Sequence, residues 1–211
     1  MRDRRATSAG VWIATVAAIA GATGCDLSNP GVPVRTADVN FPIALAVVGD
    51  EPNAFLVVVN SNFDLSYSSG TVQSWSLAGI HGVVDAALAT GCGAPDVAPC
   101  AIDIEADEGG ELLVDEVMIG SHADGLAVLR SAAPQRTRLY IPVRSGRGVL
   151  TWIDFAPDTG LFECGGGGVP GELRSCSDAN RGADVAESAT DLVLPTDPVA
   201  AAFVPRELLG P

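Results

Sequence analysis

The side chains with the most chemistry lie together in the tetrapeptide Ser121-His122-Ala123-Asp124. It carries a hydroxyl, an imidazole and a carboxylate, which are the three groups of a hydrolytic triad. A triad needs groups that converge from separate segments, whereas in an extended segment His122 and Asp124 project to one face and Ser121 to the other. The sequence also lacks the Gly-x-Ser-x-Gly turn that presents a nucleophilic serine. We therefore interpret this segment as a polar entry into a strand, and expect a protein without enzymatic activity.

A second polar pattern, Asn60-x-Asn62-x-Asp64, places three oxygen ligands at alternating positions, as a calcium-binding loop would. The glycine expected at the sixth position is Leu65, and the glutamate expected at the twelfth is Thr71. Asparagine and aspartate that cap a turn explain the pattern better. We predict no metal ion and no cofactor for this chain.

Four cysteines other than Cys25 lie in insertions rich in glycine and proline. Four cysteines allow three pairings, and zinc sites usually use close Cys-x-x-Cys pairs. These spacings favour disulfides over zinc, and the bridges that close the shortest loops cost the least entropy. The predicted bridges are Cys92–Cys100 and Cys164–Cys176.

The elements that must position these residues show strand periodicity, and they occur twice. Each copy begins with a small apolar run, continues with a stronger β-rich run and, after a turn, reaches a third alternating run. The first copy comprises residues 41–47, 55–60, 71–77 and a fourth run at 112–119; the second comprises 123–129, 139–144, 149–155 and a weaker run near 191–194. Residues 197–203 resemble the start of a third copy. Repeated sets of four short antiparallel strands are the blades of a β-propeller.

The residue pattern of the repeat resembles that of the bacterial YVTN-type propeller family. Residues 148–154 match the family's Gly-x-Val-x-x-x-Asp-like strand, and residues 70–76 match it with Ser76 where Asp is usual. Asn60 stands at the family's Asn position, where the second copy has Arg144. The resemblance implies an all-β fold over residues 40–211: a partial propeller of about two four-stranded antiparallel blades and the start of a third, with disulfide-bearing insertions. A closed propeller has about 4–8 blades, so we expect open strand edges and association of copies through them.

In a propeller, the turn before an inner strand lies near the central channel. This position makes Asn60, His122, Asp124 and Arg144 the residues that we predict to bind a protein or small-molecule ligand. Some similar propellers are lactonases, so the resemblance also leaves a lactonase-like hydrolase as an alternative. A third alternative is a gene fragment without independent function.

The first 25 residues predict where the protein is located in the cell. Arginines at positions 2, 4 and 5 precede an apolar run at 11–20, which has the length of a signal-peptide core rather than of a membrane span. The run ends at Ala22-Thr23-Gly24-Cys25, which resembles the lipobox of bacterial lipoproteins. The resemblance implies a signal peptide at 1–24 in helical form and a lipid on Cys25, followed by a flexible tether at 25–39. The alternatives are an ordinary secretory signal and an uncleaved anchor.

The net charge of the chain limits the kinds of partner that it can bind. The 211-residue chain has a formal net charge of −14 and its cations are all arginine, whereas nucleic-acid binding needs clustered cations. We therefore exclude nucleic acid and predict an exported binding or scaffold protein of the cell envelope. It would be held by Cys25 in the cell membrane or the outer membrane and face the periplasm or the exterior.

Overall fold

A computed structural model of the chain describes residues 32–34, 37–92, 112–132, 135–144, 148–166, 173–183 and 200–202. The predicted signal peptide, Cys25 and the predicted strand near 191–194 lie outside these residues. The described elements, in chain order, are β1 (Pro42–Val48), β2 (Phe55–Asn60), β3 (Thr71–Ser76), α1 (Leu77–Ala89), β4 (Leu113–Met118), β5 (Ala127–Ala132), β6 (Gln135–Pro142), β7 (Gly148–Ala156), β8 (Leu161–Glu163), β9 (Arg174–Ser175), a 3₁₀ helix (Asp178–Asn180) and β10 (Arg181–Ala183).

The strands form two sheets, and the all-β class predicted from the sequence is confirmed at this level. In the first sheet β1, β2, β3 and β4 follow one another as antiparallel neighbours, and β9 adds in parallel to β4. In the second sheet β5, β6 and β7 are antiparallel neighbours, and both β8 and β10 pair with β7. Neither described sheet closes on itself.

Three predicted strand positions need correction. The strand predicted at 139–144 is β6, which begins four residues earlier and ends two residues earlier. The strand predicted at 123–129 begins only at Ala127, because Ala123 makes an isolated bridge to Val143 and His122 has a left-handed backbone. Residues 200–202, the described part of the predicted third copy, are not in a strand. The strands predicted at 55–60, 71–77 and 149–155 are confirmed as β2, β3 and β7 to within one residue at either end.

The main core lies between the two sheets. Alternation along β2 points Phe55, Val57 and Val59 into this core, where they join buried side chains of β6 and β7. Phe55 meets Phe155 of β7 edge to face, with ring centroids 5.7 Å apart. The sheets are therefore held together mainly by burial of apolar surface.

The other face of the first sheet is covered by α1 and by residues 37–39. Trp75 is buried there with Val58 and Leu112. Ile80 and Val83 of α1 pack against them. Residues that the sequence assigns to a tether, Ala37 and Val39, complete this smaller cluster.

Helix α1 was not expected from the sequence, which shows Gly79 and Gly82 inside it. Glycine disfavours helix interiors by about 1 kcal/mol relative to alanine. The helix begins where the Ser76 hydroxyl accepts a hydrogen bond from the Gly79 N–H (3.1 Å), a standard N-cap. Packing of Ile80 and Val83 on the sheet supplies the stabilisation that propensity does not. No helix in the described part of the chain is long and apolar enough to cross a bilayer.

A disulfide joins Cys164 to Cys176, as predicted, with a Cα–Cα distance of 4.9 Å. Both cysteines are buried in the main core. Cys92 is also disulfide-bonded, and its predicted partner Cys100 lies outside the described residues. The Cys92–Cys100 pairing therefore stays a prediction.

Candidate binding site

Three of the four predicted ligand residues come together just beyond the end of β6. Asp124 and Arg144 form an ion pair, with Nη2 to Oδ1 at 3.1 Å and Nε to Oδ2 at 2.5 Å. The isolated bridge between Ala123 and Val143 places them side by side. The backbone N–H of Arg144 donates to the carbonyl of His122 (3.1 Å), which fixes the third residue beside the pair.

His122 is held in an uncommon backbone conformation, with a φ of 58°. Its N–H donates to the carbonyl of Ser61 (2.8 Å), and its ring meets the exposed ring of Phe63 edge to face at 5.7 Å. A left-handed φ at a residue other than glycine is strained and persists only where the surroundings impose it. Here the contacts that hold His122 come from Ser61 and Phe63, in the loop that follows β2. That loop and the loop that contains His122 therefore form one structure.

Side chains of the loop after β2 lock the two loops together. The Ser61 hydroxyl donates to the carbonyl of Ala123, and the Asn62 Nδ2 donates to the Ser121 hydroxyl, both at 2.8 Å. Asn62 also binds both backbone groups of Tyr67, as acceptor from its N–H (2.9 Å) and donor to its carbonyl (2.7 Å). Sequence reasoning noticed Asn62 only as a turn residue. No local signal could have shown that it reaches Ser121, which lies 59 positions away.

The turn interpretation of the Asn-x-Asn-x-Asp pattern is confirmed for Asn62 and Asp64, but Asn60 is the last residue of β2 and caps no turn. The carboxylate of Asp64 accepts from the hydroxyl (2.6 Å) and the N–H (3.1 Å) of Ser66. These hydrogen bonds, that of the hydroxyl above all, lower the pKa of Asp64. The oxygens of this loop are therefore engaged in shaping the turn. In the part of the chain that is described, no group of three His, Cys, Asp or Glu side chains is placed to hold a metal ion.

The triad residue types of the Ser-His-Ala-Asp segment do not form a triad in this fold. Asp124 pairs with Arg144, and the Ser121 hydroxyl accepts from Asn62. The segment enters β5 as a polar connection, which is the interpretation that the sequence favoured. The surface at this segment presents the imidazole of His122, the guanidinium of Arg144 within its ion pair, and the exposed ring of Phe63.

Asn60 does not reach this cluster. It is 2% exposed, and its Nδ2 donates to the Thr71 hydroxyl and to Gln73 Oε1, both at 3.0 Å. Strand alternation explains the separation, because Val59 faces the main core and Asn60 therefore shares the opposite face with Val58. The Asn60 Oδ1 is buried without a hydrogen-bond partner among the described residues.

Asn60 instead belongs to a buried polar network that sequence reasoning did not find. Gln73 Nε2 donates to Glu116 Oε1 (2.8 Å) and to the carbonyl of Asp38 (3.0 Å). The backbone N–H of Ala37 donates to Glu116 Oε2 (3.3 Å). Burial raises the pKa of Glu116, and the hydrogen bond from Gln73 opposes that rise. The network ties residues 37–39 to the first sheet.

Comparison with known protein families, with curated proteins and with solved structures gives no significant match to this chain. The resemblances to lipoproteins and to propeller repeats therefore remain predictions from the sequence.

Proposed function

We propose that this chain is an exported, lipid-anchored, β-propeller-like protein of the cell envelope that binds a ligand or partner rather than transforming it. The arginines, apolar run and Gly24-Cys25 at the N-terminus support export and acylation. The buried Cys164–Cys176 disulfide supports the same view, because disulfides persist in oxidising compartments.

The arrangement of the strands supports a pair of propeller-like blades. Each sheet contains consecutive antiparallel neighbours, β1 to β4 in one and β5 to β7 in the other, and the two sheets share one core. A blade inside a closed ring packs against blades on both faces, whereas α1 and residues 37–39 cover the outer face of the first sheet. We therefore propose an open array that begins at a capped first blade.

The observation that carries the binding function is the locked contact between the two loops, from Asn62 to Ser121 and from Ser61 to His122. It holds His122 and Phe63 in one place at the surface through contacts that span the chain. Strained residues at such positions are common where proteins bind ligands. The lactonase-like alternative gains no support, because the Asp124 carboxylate forms its ion pair with Arg144 and not with His122.

The proposed lipid anchor is tested by expressing the full chain in a bacterium that processes lipoproteins, with a palmitate analogue in the medium. We expect the wild-type protein to carry the label and to fractionate with membranes, and Cys25→Ser to lose both properties. Cys92→Ser is the matched control, since it removes a cysteine outside the lipobox and should keep the label. An unlabelled wild-type protein, or a labelled Cys25→Ser variant, would contradict the anchor.

A further inference from the structure

One small region of the body exposes three large apolar side chains on a single loop and the segment paired with it. Phe63 is 60% exposed, Leu65 is 57% exposed and Val32 is 58% exposed. Val32 is joined to the loop in both directions, since its N–H donates to Ser66 (3.0 Å) and its carbonyl accepts from the Ser68 N–H (2.9 Å). We call Val32, Phe63 and Leu65 the apolar tip.

We propose that the apolar tip rests on the lipid bilayer to which the chain is anchored, and so fixes the orientation of the body on the membrane. This inference rests on the proposed anchor at Cys25 and adds to it a second, weaker contact.

The length of chain between the anchor and the tip favours the bilayer as occupant. Val32 lies seven residues after Cys25, and a stretch of that length spans about 25 Å at full extension. An acylated Cys25 would thus keep Val32, and with it the loop to which Val32 is bonded, close to the headgroups. Leu88, another exposed apolar side chain, lies near the C-terminal end of α1 and not on this loop.

The loop is built to hold its apolar side chains outward. Asn62 and Leu65 both have left-handed backbones, with φ of 49° and 56°, and the Leu65 N–H donates to the carbonyl of Asn62 (3.2 Å). The Asn62 side chain clamps both backbone groups of Tyr67. A turn fixed in this way cannot fold Phe63 and Leu65 back onto the sheets without breaking these bonds.

Charge sets the depth of contact and the kind of lipid. Asp64 lies between Phe63 and Leu65, and its hydrogen bonds with Ser66 favour the ionised carboxylate. An ionised side chain stays at the headgroup level, so the tip would rest in the interface rather than in the hydrocarbon. Because the chain is strongly anionic, we expect it to prefer a zwitterionic surface to an anionic one.

The test uses the full mature chain, from residue 25, with Cys25→Ser and an N-terminal histidine tag held on nickel-chelating lipid. The vesicles contain brominated phosphatidylcholine, which quenches tryptophan at the bilayer. We expect Leu65→Trp to be quenched at least about twofold more than the matched Leu88→Trp, after subtraction of the wild-type tryptophan signal. Phe63→Trp gives a second probe of the same tip, and circular dichroism verifies that each variant is folded.

Equal quenching at positions 65 and 88, or none at 65 and 63, would overturn the proposal. Because the tag replaces the lipid, this failure is distinct from a failure of acylation, which the Cys25→Ser fractionation reports. A wild-type dimer in lipid-free solution that Phe63→Ser with Leu65→Ser dissociates would also overturn it. In that case the tip would be an interface between two copies of the chain.

Discussion

Arg174 grips the carboxylate of Asp115 at two points in the interior of the protein. The Nη1–Oδ1 and Nη2–Oδ2 distances are 2.7 and 2.8 Å, and both residues are buried. Phe162 completes the arrangement, since its N–H donates to Asp115 (2.7 Å) and its carbonyl accepts from Arg174 (2.6 Å). Asp115 on β4 and Arg174 on β9 both belong to the first sheet, whereas Phe162 lies on β8 of the second. The backbone of Phe162 therefore links this buried ion pair to the second sheet.

Removing the guanidinium should be costly. We expect Arg174→Ala to lower the free energy of unfolding by about 3–5 kcal/mol, because it leaves the Asp115 carboxylate buried without its cation. The matched control is Arg138→Ala, which breaks the bidentate pair with Asp154 on a side chain that is 41% exposed. That loss should be about 1 kcal/mol or less. Urea unfolding measures both, and equal losses would refute the role assigned to the buried pair.

Gly160 provides a second contrast. Its φ is 75°, and a Cβ at this position would overlap the Phe55 ring, so Gly160→Ala should destabilise the fold by more than about 1 kcal/mol. Gly82 of α1 is the control, because a Cβ at that position would meet nothing within 4 Å. Gly82→Ala should stabilise by about 0.5–1 kcal/mol through helix propensity. Thermal unfolding compares them, and a shift of the same sign for both would count against this packing.

Glu116 should make stability depend on pH. Its pKa is raised in the folded state by burial, so the folded protein keeps this proton after the unfolded chain has lost it. Its contribution is therefore fully present below the ordinary glutamate pKa and is lost as pH rises through the folded-state pKa. We expect the unfolding free energy of the wild type, minus that of Glu116→Gln, to fall as pH rises from 4. A difference that grows with pH would show the opposite pKa shift.

The sequence predicts strands well where one strand carries a strong local pattern. The alternating or β-branched runs of β2, β3 and β7 appear within one residue of their predicted positions. Cys164 and Cys176 could be paired because they are only 12 residues apart. These features depend on neighbours in the sequence, so a single sequence contains the information they need.

Contacts between distant segments were not predictable in the same way. The contact of Asn62 with Ser121 depends on how the two sheets pack, as does the link from Asp115 to Phe162. Helix α1 forms although Gly82 weakens its intrinsic propensity, because its apolar side chains find a sheet to cover. Of the four predicted ligand residues, His122, Asp124 and Arg144 lie together, Asn60 lies elsewhere, and the loop that holds His122 was not recognised.

The most direct test of the account is whether the two sheets unfold as one unit, since the candidate site joins the loop after β2 of the first sheet to the segment before β5 of the second. The mature chain with Cys25→Ser would be followed in urea by circular dichroism and by the fluorescence of Trp75 on β3 and Trp152 on β7, with light scattering to record its size. We predict a β-rich spectrum, a discrete particle and coincident single transitions by both probes. Separate transitions, or an unfolded or aggregating chain, would contradict a body built from two sheets around one core.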